Sequence, residues 1–226
     1  MMNNLARETV IGFTKLVIGL GLLLFATAGT LGYWQAWVYL FVFVASAALI
    51  TGYLWKRDPR LLERRVHAGP RAERENSQKL IQLFATVAFV GMIALPSLDH
   101  RFAWSNVPLS VVITGDVLVA LGFLIISMVF RENTFAAATI DVAADQRVIA
   151  TGPYAIVRHP MYSGALIMLL GTPLALGSWW GLLMFISMTL VIVWRLLDEE
   201  RFLSEHLPGY SDYREKVRFR LVPFVW

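Results

Sequence analysis

Apolar and polar stretches alternate along the chain in six long apolar runs, at about Leu16–Tyr33, Trp37–Trp55, Leu80–Leu98, Pro108–Phe130, Met161–Leu176 and Trp179–Leu196. A helix crosses a hydrocarbon core of about 30 Å with roughly 17–25 such residues. Five runs meet that length; the fifth in order, Met161–Leu176, spans only roughly 24 Å at 1.5 Å per residue. The pattern predicts an all-α fold, a polytopic transmembrane helical bundle of about six segments. The last two form a helical hairpin turned by Gly177-Ser178. With no internal repeat or low-complexity linker, 1–226 reads as one integral membrane domain.

The polar intervals are unequal. Those expected on one side are short, whereas the other side carries 56–79, 131–160 and 197–226. Any site built from polar side chains has to draw on these three. Trp34, Trp37, Trp104, Trp179 and Trp180 gather near the short turns, as an interfacial aromatic belt would.

Composition and charge sharpen this picture. The chain is 57% hydrophobic where a soluble domain holds roughly 45–50%. Its net charge of +4 would suit nucleic acid, but the distribution excludes that reading. Basic residues crowd 56–79 (Lys56, Arg57, Arg60, Arg64, Arg65, Arg71, Arg74, Lys79) and the tail (Arg214, Lys216, Arg218, Arg220), while Arg101 stands alone in the opposite loops. The positive-inside rule then puts both termini in the cytoplasm. The first run also has signal-peptide features, with Arg7 and Lys15 before it and Ala26-Thr27-Ala28-Gly29 inside it. It continues past that point, so a retained helix is expected. There is no cysteine, and His67, His100, His159 and His206 lack metal-binding spacing.

Three further features bear on lipid. Pro59 to Val66 suits a short amphipathic helix whose arginines meet anionic lipids, or a solvated connector. Val217-Arg218-Phe219-Arg220-Leu221 suits a chain end anchored among headgroups. Asp116, the one acid well inside an apolar run, is either a functional site or a hydrogen-bonded helix contact.

The densest polar cluster runs from Thr151 to Gly164, directly before and into the short fifth run. Pro153 and Pro160 push Gly152 and His159 out of helical conformation, and Pro160 suits the first turn of a helix. That helix start offers free N–H groups and a positive dipole end to a carboxylate or phosphate. Because the run is short, the loop is expected to sit recessed in the inner leaflet, where non-helical backbone survives only in protein or beside a cavity. A plain turn with His159 capping backbone is the competing reading. A second cluster, Arg195, Asp198, Glu199, Glu200 and Arg201, ends the sixth run, with Arg195 and Glu199 neighbours at i,i+4. They can point into one site or pair with each other. No dinucleotide glycine fingerprint, P-loop or nucleophile elbow occurs.

Taken together, Gly152-x-Tyr154-x-x-x-Arg158-His159-Pro160-x-Tyr162-x-Gly164, the hairpin, Arg195-x-x-x-Glu199-Glu200, Tyr210-x-x-Tyr213 and Arg220-x-x-Pro223 resemble the isoprenylcysteine carboxyl methyltransferase family, itself similar to membrane phospholipid methyltransferases. The resemblance covers the chain from Asn133 on; Asp58-Pro59-x-Leu61-Leu62 is similar to the link of bacterial members. It implies N-terminal transmembrane helices over 1–130, a catalytic core over 131–226, a bacterial inner-membrane location and a cytoplasm-facing S-adenosyl-L-methionine site. Thr139, Gln146, Arg147, Val148, Ile149, Tyr154, His159, Pro160, Met161, Tyr162 and Glu199 would bind the cofactor. Arg195 would contact substrate, and Arg195 with Glu199 would carry catalysis. Thr139 and Gln146 stand where eukaryotic members have Gln and His. The implied partner is a lipophilic substrate from the bilayer, most simply a carboxylate, with a lipid amine as the alternative acceptor. No obligate protein partner is evident. From a different class, a small transporter using Asp116 remains open.

Overall fold

The computed structural model describes residues 2–66, 76–136 and 146–226; Thr139, His67, Arg71 and Arg74 lie outside them. The described chain is helical: α1 Met2–Ala28, α2 Trp34–Arg57, α3 Pro59–Val66, α4 Asn76–Phe102, α5 Leu109–Glu132, α6 Pro160–Ala175, α7 Gly181–His206 and α8 Tyr210–Lys216, with a 3-10 turn at Gly152–Ala155. Five of these, α1, α2, α4, α5 and α7, are long and apolar enough to cross a membrane, and α6 is a shorter apolar helix. The protein is an integral, multi-pass helical bundle.

Local chemistry sets the ends. α1 stops where Gly29 takes a left-handed φ of 69° and donates its N–H to Phe25 O at 2.9 Å, a glycine-terminated helix end. α2 stops at Asp58, held extended by Pro59. The same Asp58 starts α3, its Oδ1 accepting the Leu61 N–H at 3.0 Å. α7 runs on from the expected end at Leu196 to His206, because the charged last turns find tertiary partners described below.

The tightest packing joins α5 to α6. A Cβ on Gly115 would lie 2.2 Å from Ala175 N, one on Gly122 2.6 Å from Gly164 O, and one on Gly171 2.5 Å from Gly115 O. The contacts run in opposite order along the two helices, so the pair is antiparallel, with backbone against backbone at both glycine positions. Lipid offers no hydrophobic drive for helix association, so close van der Waals approach through small residues supplies it. α4 meets α7 similarly, Gly91 facing the Met184 side chain and Gly181 facing Pro96 and Pro173.

One end of the bundle is tied by a buried carboxylate. Asp99 accepts the Ser105 N–H at 2.7 Å, the Ser105 hydroxyl at 2.6 Å and the Ser178 hydroxyl. These bonds satisfy the acid and join α4 to the α6–α7 turn. The tryptophans expected as a belt are all substantially exposed.

Candidate active site

The end of the bundle away from Asp99 holds a pocket walled by 146–149, the 3-10 turn, the first turn of α6, the end of α7, and α8. Gln146, Arg147, Val148, Ile149, Tyr154, His159, Pro160, Met161, Tyr162 and Glu199 all line it, as expected. Thr139 falls outside the described residues. Arg195 does not line this pocket. It lines an adjoining apolar cavity of about 630 Å³ to which every helix from α1 to α7 contributes. Met161 and Tyr162 belong to both walls.

One side chain connects the two spaces. The Tyr162 hydroxyl donates to Glu199 Oε2 at 2.5 Å and accepts from Arg195 Nε at 3.2 Å. Arg195 also donates to Gln78 Oε1 at 2.9 Å, and Gln78 donates through Nε2 to Asp198. The two i,i+4 side chains of α7 are therefore bridged by a tyrosine of α6. Glu199 turns to the polar pocket and Arg195 to the apolar cavity.

Beneath the pocket floor lies Glu200, 4% exposed. Its Oε1 accepts Arg158 Nε at 2.6 Å and lies 3.3 Å from His159 Nε2, and its Oε2 accepts Arg220 Nε at 2.9 Å. Arg158 further donates to Val217 O at 2.9 Å and Arg218 O at 3.1 Å. The backbone N–H groups of Arg158 and His159 donate to Phe219 O and Arg220 O, and the Ser163 hydroxyl to Leu221 O. This corrects two expectations. The segment Val217–Leu221 is not simply an anchor but a strap across the start of α6, and His159 caps no backbone with its ring, which faces Glu200 instead.

Tyr154 is placed by its neighbours: Asn133 Nδ2 donates to its hydroxyl at 2.8 Å and the Tyr213 hydroxyl donates to its carbonyl at 2.8 Å. Burial pushes the Tyr154 phenol up to about 12, the bond from Asn133 opposing and the charge of Glu199 adding. Burial likewise raises Tyr210 and Tyr213. The pocket therefore presents neutral aromatic hydroxyls beside one carboxylate.

Several residues here had no assigned role in the sequence reading. Asn133, Leu203, Leu207, Tyr210 and Tyr213 line the pocket, and the spacing of Tyr210 and Tyr213 within the last motif was the available signal. Gln78 had none, standing in a polar stretch far from the motifs. Arg65, expected among lipid headgroups, turns inward: its Nη1 donates to Ala136 O at 3.1 Å, and burial lowers its guanidinium to about 10. Asp116 does sit inside α5, 9% exposed, but its Oδ1 has no hydrogen-bond partner among the described residues.

The pocket suits S-adenosyl-L-methionine. Aromatic faces at Tyr154 and Tyr162 and the Glu199 carboxylate match a sulfonium cation, and the start of α6 matches a carboxylate.

Residues 110–208 match the family model of phospholipid methyltransferase. The chain is 31% identical over 112 residues to the protein-S-isoprenylcysteine O-methyltransferase of Schizosaccharomyces pombe, covering 43% of this chain and 46% of that protein. It is 28% identical over 155 residues to protein-S-isoprenylcysteine O-methyltransferase B of Arabidopsis thaliana, covering 65% and 73%. A Delta(14)-sterol reductase of Mus musculus is 32% identical over 91 residues, covering 39% and 22%. The match thus spans less than half the length of the yeast and mouse relatives.

The fold is that of an integral membrane protein with a polar pocket abutting an apolar cavity. Within that class the chain is similar to isoprenylcysteine carboxyl methyltransferases, and its residues 110–208 match the phospholipid methyltransferase model.

Proposed function

We propose that this chain transfers a methyl group from S-adenosyl-L-methionine to a carboxylate borne by a lipophilic molecule in the membrane. The observation that carries this reading is the shared wall at Met161 and Tyr162. A water-soluble cofactor has a polar pocket on one side of that wall, and a lipid has an apolar cavity on the other.

Gln146 to Ile149, Tyr154, the start of α6 and Glu199 would hold the cofactor, which when bound supplies a methyl on a sulfonium: its S–C bond breaks, an O–C bond forms, and a neutral ester results. A carboxylate of pKa near 4 is already ionised at neutral pH, so no general base is required. The chain's task reduces to orientation and exclusion of water. Arg195 orients the acceptor by charge-assisted hydrogen bonds, Gln78 holds Arg195 from behind, and Tyr162 fixes Glu199 relative to Arg195. The Glu200 knot keeps the strap closed beneath. Isothermal calorimetry with S-adenosylhomocysteine tests the reading, and a well-folded protein that shows no binding would defeat it.

The family model of the matched segment supports a second acceptor, a phospholipid amine. An amine must lose a proton before attack and gains nothing from Arg195, so turnover that survives Arg195→Ala would favour it. The mouse relative is named as a reductase, which needs an electron donor; a nicotinamide dinucleotide is the matching control in the same calorimeter. We also place both termini and the pocket on the cytoplasmic side of a bacterial inner membrane, on the strength of the charge bias. Since the chain has no cysteine, labelling of Ser211→Cys and Leu31→Cys by an impermeant maleimide tests the sidedness.

A further inference from the structure

Among the polar groups of the apolar cavity that the reaction above does not use are Arg65 and Thr9. Arg65, on α3, donates to Ala136 O at 3.1 Å and to Met161 Sδ at 3.9 Å, and its guanidinium carbon lies 4.6 Å from the centre of the Phe130 ring. These described partners are a carbonyl, a thioether and a ring; none is an acid. Thr9, on α1, is 9% exposed, and its hydroxyl oxygen is buried without a hydrogen-bond partner among the described residues. Both residues line the cavity together with Phe43, Phe123 and Met168.

A guanidinium among such groups is costly unless an anion meets it, and a buried orphan hydroxyl costs about 1–3 kcal/mol. A ligand bearing an acid and a second polar group relieves both. Arg65 touches Met161, and Arg195 touches Tyr162. The two cations thus flank consecutive residues in the first turn of α6, at the wall shared with the cofactor pocket.

We propose that Arg65 is a second substrate-binding cation, which with Arg195 brackets the acidic head of a single-chain amphiphile whose adjacent polar group meets Thr9. The inference rests on the methyl-transfer reading and narrows its acceptor to an anionic, single-tailed lipid. The tail has room along α2, where the lining residues from Leu54 to Phe43 cover roughly 16 Å at 1.5 Å per residue. Two cations disfavour an amine head by like-charge repulsion. They also discriminate between substrate and product. Methylation converts the charged acid to a neutral ester, both pairings vanish, and the product is free to return to the bilayer.

The test uses the full chain in detergent micelles and three probes of one tail: oleate, methyl oleate and oleylamine, with binding followed by equilibrium dialysis. Oleate is expected to bind at least about tenfold more tightly than either other probe, the equivalent of 1.4 kcal/mol. Arg65→Gln should remove about that factor for oleate and leave methyl oleate unchanged, while Arg65→Lys keeps most of the preference. Unchanged binding of S-adenosylhomocysteine to Arg65→Gln shows that the fold is intact. If that variant does not fold, Thr9→Val carries the test with N-oleoylglycine, which adds an amide beside the acid: its binding is expected to weaken about threefold while that of oleate is unchanged, and an unchanged N-oleoylglycine affinity overturns the proposal. Oleate bound equally by wild type and Arg65→Gln, or by wild type no better than oleylamine, overturns the proposal. If wild type prefers oleate yet ignores S-adenosylhomocysteine, the methyl-transfer reading falls and the anionic lipid site stands.

Discussion

The hydroxyl of Tyr162 lies 2.5 Å from Glu199 Oε2, and this bond joins the first turn of α6 to the end of α7 at the boundary between two pockets. The same oxygen accepts from Arg195, so one phenol fixes an acid of the polar pocket relative to a cation of the apolar cavity. Tyr162→Phe removes both bonds while keeping the ring. A hydrogen bond to a charged group contributes about 1.5–3 kcal/mol, so turnover is expected to fall roughly 10- to 100-fold. Calorimetric affinity for S-adenosylhomocysteine should change far less, because the aromatic face remains. An equal loss of both would assign Tyr162 to cofactor binding alone.

Gln78 offers a test that no motif suggests. It is 2% exposed on α4 and holds Arg195 from the side away from Tyr162. Gln78→Leu removes one of the guanidinium's hydrogen-bond partners, so KM for the lipid acceptor is expected to rise about tenfold, with S-adenosylhomocysteine affinity unchanged. One neutral bond to a charged group accounts for that size. Arg195→Lys should mimic it, since a lysine lacks the fork that aligns a carboxylate.

These residues mark how far a sequence can be read. Hydropathy located the five helices long and apolar enough to cross a membrane and the shorter apolar α6, because lipid demands long apolar runs, and the motif from Gly152 to Gly164 located the pocket because proline and glycine shape backbone locally. Helix ends were less legible. α1 begins at Met2, not Leu16, and α7 continues to His206, because charged turns at the membrane edge are stabilised by partners distant in sequence, such as Glu200 with Arg158 and Arg220. Gln78 and Arg65 stood in a polar stretch where any residue would look solvated. The matching seven-residue spacing of Gly115 and Gly122 against Gly164 and Gly171 was visible in principle, but only the fold shows that the two pairs meet.

Glu200 is the counter-charge of a buried knot, so Glu200→Gln leaves Arg158 and Arg220 without it. Breaking a buried pair on one side costs about 3–5 kcal/mol. The strap from Val217 to Leu221 should then detach, seen as new proteolysis after Arg218 or Arg220, accompanied by loss of S-adenosylhomocysteine binding. A strap that stays protected in this variant would show that its backbone bonds to Arg158 and His159 suffice.

The glycine contacts of α5 and α6 predict a position-specific penalty. Gly122→Ala would place a methyl 2.6 Å from Gly164 O and from Met168 N, backbone atoms that cannot rotate away. Overpacking of this kind costs about 1–3 kcal/mol, and since α6 carries Tyr162 the activity should fall with it. Gly52→Ala is the control: nothing lies within 4 Å of that site, so the change should be neutral or stabilising by up to about 1 kcal/mol. Thermal unfolding in detergent reads both.

Asp116 separates an enzyme from a transporter. A carrier that uses an intramembrane acid needs it beside a pathway, and loses transport when the charge is removed. Here the carboxylate lies buried in α5, and neither the polar pocket nor the apolar cavity includes it. With Oδ1 unpartnered, an ionised Asp116 is a cost to the bundle and no part of the methyl-transfer geometry. Asp116→Asn is therefore expected to leave methyl transfer unchanged and to raise the unfolding temperature by a few degrees, because an amide is less costly to bury than a carboxylate. Proteoliposomes that lose solute or proton flux in Asp116→Asn, yet keep it in Glu199→Gln, would reverse the assignment.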